Sequence, residues 1–95
     1  MRESSIEAGL RRAVEKRGGL CLKFTSPGCD GVPDRVLLLP GGRIAFVELK
    51  TSMGKLSPIQ RYMIDRMKRI GADVYVAYGK EGVDMVVKEL FPDGV

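Results

Sequence analysis

A chain of 95 residues, 44% hydrophobic and 29% charged, has room for one domain with one modest core and is composed like a globular protein. It contains no histidine and two cysteines, Cys21 and Cys29, which excludes Ser-His and Cys-His catalysis and fits neither a disulfide scaffold nor a zinc site. Any acid–base or metal chemistry then falls to carboxylates and lysine, and a net charge of +4 leans weakly towards a polyanionic partner.

In chain order, Ile6, Leu10, Ala13 and Val14 recur at helical spacing between Ser4 and Arg17. Ser4 followed by Glu7 reads as a capping box, and Gly18-Gly19 end the helix. LCLKF, residues 20–24, reads as a strand with Leu20, Leu22 and Phe24 on one side, and SPGCDGVP as a loop. RVLLL and RIAFVELK are strands flanking Pro40-Gly41-Gly42. Ser57-Pro58 opens a second helix, with serine as N-cap and Gln60 closing another capping box. Its expected apolar stripe is Ile59, Met63, Met67 and Ile70, with Gly71 as the stop. ADVYVAY is a strand of buried character and VDMVVKELF a closing helix, so the order is α-β-β-β-α-β-α, an α/β fold with a small mixed sheet. No apolar run approaches membrane-spanning length and MRESSIEAGL has no signal-peptide core, so a soluble intracellular chain without a membrane partner is expected.

The hairpin register decides whether a site exists. A two-residue Gly41-Gly42 loop would send Asp34 and Glu48 to opposite faces. A three-residue loop opposes Leu39 to Arg43, suits Pro40 in a type I turn with Gly42 left-handed, and puts Asp34 across from Glu48 on one face. Lys50, two residues further along, projects from that face too. Two carboxylates so close repel each other unless a divalent cation lies between them. Oxygen ligands without His or Cys point to Mg²⁺ or Mn²⁺. A neighbouring lysine can orient or help deprotonate the attacking water, which implies phosphodiester hydrolysis. Taken singly, Pro33-Asp34 reads as a turn and Glu48-Leu49-Lys50 as a solvated strand end; only their joint placement points to chemistry. Helix capping accounts for Glu7 in full, and Gln60 stands equally between cap and site.

Gly31-Val32-Pro33-Asp34, Glu48-Leu49-Lys50 and Leu56-Ser57-Pro58-Ile59-Gln60 together resemble the PD-(D/E)XK nuclease superfamily, and within it the VRR-Nuc group. The resemblance spans essentially the whole chain, residues 1–95 as a single nuclease domain with a restriction-endonuclease-like α-β-β-β-α-β core, a mixed central sheet and a C-terminal helix. It implies metal binding by Asp34, Glu48 and the Leu49 backbone carbonyl, with Lys50 as the catalytic lysine. It further implies that Glu7 lies at the edge of the metal site and that Gln60 is near the metal or the DNA strand, so Glu7, Asp34, Glu48, Lys50 and Gln60 form the expected catalytic set. The implied activity is that of a Mg²⁺- or Mn²⁺-dependent endonuclease acting as a homodimer on branched DNA such as four-way junctions. The implied setting is the cytoplasm of a bacterium or phage-infected cell. A non-cutting nucleic-acid-binding module that keeps the fold is the alternative. Lys55 and Arg61 are expected to contact phosphate, since Gly54 lets their loop approach a backbone closely; Arg11, Arg12, Lys16, Arg17 and Arg35 are further basic candidates. Met53, Tyr62 and the final helix are the candidate dimer contacts.

Overall fold

The hairpin closes through the three-residue loop. The computed structural model, which describes residues 2–94, pairs Leu39 with Arg43 and runs the antiparallel ladder back to Arg35 opposite Val47. The next positions along that ladder are Asp34 and Glu48. The elements are α1 (Glu3–Lys16), β1 (Leu20–Lys23), β2 (Arg35–Leu39), β3 (Arg43–Lys50), α2 (Pro58–Arg69), β4 (Val74–Tyr78) and α3 (Gly79–Leu90). This is the expected core order, with the expected C-terminal helix.

The sheet order is β1-β2-β3-β4; the first three strands are antiparallel and β4 runs parallel to β3. A parallel neighbour cannot be reached by a tight turn, so the chain crosses through α2. Alternation then sorts the side chains by face. Cys21, Leu37, Leu39, Ala45, Val47 and Leu49 of the sheet join Ile6, Leu10 and Val14 of α1, and Val83, Val86, Val87 and Leu90 of α3, in one buried core. On the other face α2 packs over β4, with Ile64 and Val74 buried. Phe24 and Phe46 pack together at the site end of that face, their rings 5.5 Å apart. Leu20, Leu22, Leu38 and Ile44, at the hairpin end, stay between 38% and 52% exposed.

Four local expectations are corrected. The cap of α1 is Arg2, which makes no side-chain capping bond, so neither Ser4 nor Glu7 serves the helix start. The Pro40–Gly42 turn has positive φ at both glycines, and Gly41 (φ 81, ψ 9) takes type II rather than type I values. In α2 the inward face is Gln60, Met63, Ile64 and Met67, while Ile59 and Ile70 are 47% and 86% exposed. A helix seated over the end of a sheet buries only a narrow stripe, and here that stripe is rolled to include a glutamine. Finally, α3 begins at Gly79, earlier than the apolar run suggests. A Cβ on Gly82 would lie 2.9 Å from the Ala77 carbonyl carbon, so this glycine marks close helix–strand packing rather than a loop.

Candidate active site

Asp34 is tied to Glu48 and Leu49 by a pair of hydrogen bonds across the hairpin. The Asp34 backbone N–H donates to Glu48 Oε1 at 3.2 Å, and the Leu49 N–H donates to Asp34 Oδ1 at 3.1 Å. Each carboxylate thus has one oxygen anchored on the other's strand and one left over. The spare Glu48 oxygen, Oε2, accepts from Gln60 Nε2 at 3.2 Å and lies 3.4 Å from Lys50 Nζ. The spare Asp34 oxygen, Oδ2, lies 3.5 Å from Arg35 Nη1.

Glu48 is only 4% exposed, so this charge is held in the protein rather than in water. Burial, then the Asp34 charge, pushes its carboxyl above the usual range, while Lys50 pulls the other way. Burial also raises Asp34, against the Leu49 hydrogen bond and Arg35. Such an arrangement costs stability and gains from any cation able to share both oxygens. A hard divalent ion that keeps several waters needs only one or two carboxylates, and the donors here are all oxygen. The residues fit Mg²⁺ or Mn²⁺. No three acidic, cysteine or histidine side chains among the described residues lie close enough to hold an ion by themselves, so Glu7 does not complete a ready-made triad.

Gln60 both caps α2 and reaches Glu48. Its backbone N–H donates to Ser57 Oγ and its Oε1 accepts from the Ser57 N–H, which closes the capping box. The remaining amide end, Nε2, is the part that reaches Glu48. Glu7 sits on α1, with Oε2 3.7 Å from Arg11 Nε and 3.5 Å from Arg35 Nε. Arg35 therefore belongs to the acidic cluster rather than to an open DNA face. Strand alternation was the available signal, because it groups Arg35 with Leu37 and Leu39 under α1.

The other cations divide similarly. Lys55 and Arg61 are exposed beside the site. Gly54 makes its close approach within the protein, where a Cβ would meet Lys50 Cβ at 3.2 Å. Arg17 folds back to donate to the Ala13 carbonyl and stands over the Phe91 ring, so it serves packing.

Against known proteins, the VRR-NUC domain family matches residues 1–81. "Putative nuclease p44" of Acyrthosiphon pisum secondary endosymbiont phage 1 is 46% identical over 76 residues, which cover 80% of this chain and 82% of that protein. A solved structure described as a VRR_NUC domain superposes with a TM-score of 0.85 at 32% identity, covering 90% of this chain and 94% of the other.

Proposed function

The chain belongs to the VRR-NUC domain family, and from that premise we propose that it is a divalent-metal-dependent DNA endonuclease that hydrolyses phosphodiester bonds in branched DNA. The observation that carries this reading is the cross-strand pair of buried Glu48 and partly buried Asp34, each carboxylate held by a backbone N–H of the other's strand, beside Lys50. The name of the phage relative supports nuclease activity, and the continuous core from α1 to α3 supports treating residues 1–95 as one nuclease domain.

Asp34, Glu48 and the Leu49 carbonyl would hold Mg²⁺ or Mn²⁺. When bound, the ion supplies Lewis-acid stabilisation of a phosphate oxygen and acidifies water. Gln60 Nε2 fixes the Glu48 carboxylate, and the Leu49 N–H fixes Asp34. The Lys50 ammonium orients the attacking water and offsets negative charge developing on the phosphate. Lys55 and Arg61 engage backbone phosphates, so affinity should fall steeply with salt.

Four-way junctions are approximately two-fold symmetric, and a homodimer presents two sites related by a two-fold axis. The exposed Leu20, Leu22, Leu38 and Ile44 face supports self-association better than Met53 and Tyr62, which are also exposed but scattered. The deciding experiment is cleavage of matched duplex, flap and four-way-junction DNA with Mg²⁺ or Mn²⁺, with Asp34→Asn as control. Metal-dependent cutting that prefers junctions and vanishes in the variant is expected. Equal cutting by the variant would remove Asp34 from the site.

A further inference from the structure

Arg35 binds two acids at once. Its Nη1 donates to the Asp34 carbonyl at 2.8 Å and lies 3.5 Å from Asp34 Oδ2, while its Nε lies 3.5 Å from Glu7 Oε2. That Nε is buried and has no hydrogen-bond partner, so Glu7 reaches it as a charge rather than as an acceptor. The side chain is 15% exposed, and a guanidinium remains charged when buried, so it depends on anions around it. Glu7 and Asp34 supply them. An ion shared by Asp34 and Glu48 would draw on the Asp34 charge, leaving Glu7 as the main counter-ion of Arg35.

We propose that Arg35 is a positioning residue for Asp34, and that Glu7 influences the metal ligands only through Arg35; this rests on the metal-dependent reading above. Two opposite effects follow. The Arg35 charge repels a divalent ion held at Asp34 Oδ2, so its removal tightens metal binding. The same guanidinium fixes the backbone and side chain of Asp34, so its removal slows cutting. A merely structural role would not make metal affinity and turnover move in opposite directions.

The test is a double-mutant cycle read by the electron paramagnetic resonance signal of free Mn²⁺, with DNA cleavage and thermal melts measured in parallel. Arg35→Gln should bind Mn²⁺ about tenfold more tightly and cut roughly 10- to 100-fold more slowly. Glu7→Gln should weaken Mn²⁺ binding in the native background, because Arg35 then pairs with Asp34 alone, and should have no effect on it beside Arg35→Gln. Arg35→Lys keeps the charge without the fork, so it should retain native Mn²⁺ affinity and still cut slowly; this variant carries the test if Arg35→Gln fails to fold. Equal loss of Mn²⁺ affinity from Glu7→Gln in both backgrounds would make Glu7 a direct ligand and overturn the proposal. Weaker Mn²⁺ binding in folded Arg35→Gln, or native cutting by Arg35→Lys, would overturn it as well. A native protein that binds no Mn²⁺ would instead sink the metal-dependent reading, and this proposal with it.

Discussion

Each side chain of the candidate site answers to more than one partner, and conservative substitutions separate those duties. Asp34 and Glu48 both titrate above their ordinary values of 3.8 and 4.5, chiefly because they are buried. The folded protein therefore holds protons that the unfolded chain has released. The stability gained in this way is full below the ordinary carboxylate range and is lost as pH rises through the raised values. Asp34→Asn removes one of the two charges and the largest Coulombic cause raising the other. Without metal, its melting temperature should gain on the native protein by a few degrees between about pH 4 and 7. A difference that stays constant with pH would show that the pair is not strained. Gln60 offers a sharper contrast. Glutamate closes a capping box as well as glutamine does, but its carboxylate would face Glu48 Oε2, where Nε2 now donates. Gln60→Glu should thus keep the capping box but melt a few degrees below the native protein at neutral pH, and lose about 10- to 100-fold in cleavage. Native activity in that variant would reduce Gln60 to a cap.

At the scale of elements, the site depends on how closely the loop before β2 meets α2. Gly31 has φ +90, and a Cβ there would lie 2.5 Å from the Ile59 carbonyl oxygen. Gly31 therefore holds the segment carrying Pro33 and Asp34 against the first turn of the helix that carries Gln60. Gly28, in the same loop, has φ +81 but open space around it. Gly28→Ala should cost only the left-handed strain, about 1 kcal/mol, whereas Gly31→Ala adds a backbone clash and should cost about 2 kcal/mol or more. Chemical denaturation of the two variants measures the gap. Equal losses would mean that the loop and α2 are not locked together at Gly31.

Over the whole molecule, the unevenly covered sheet matters most. Helices α1 and α3 cover most of one face, but α2 covers only the β4 end of the other. If the exposed leucines and Ile44 mediate self-association, Leu38→Glu should leave the fold intact and halve the mass measured by light scattering at micromolar protein. An unchanged mass would mean that this face does not join two copies of the chain. Much of the architecture was already legible in the residues. Period-two alternation, the Pro-Gly-Gly loop and Ser57-Pro58 together determine the strands, the hairpin register and the start of α2, because these depend on neighbours close in sequence. The same local rules bring Asp34 to Glu48 and Lys50 to their face. They do not determine the roll of α2 that turns Gln60 inward, the Glu7–Arg35–Asp34 chain linking a helix to a strand, or the sheet face left bare. Those features depend on how layers distant in sequence stack, and capping Glu7 at the start of its own helix was locally as reasonable as pairing it with Arg35. Only the packing of α1 over β2 brought that arginine within reach.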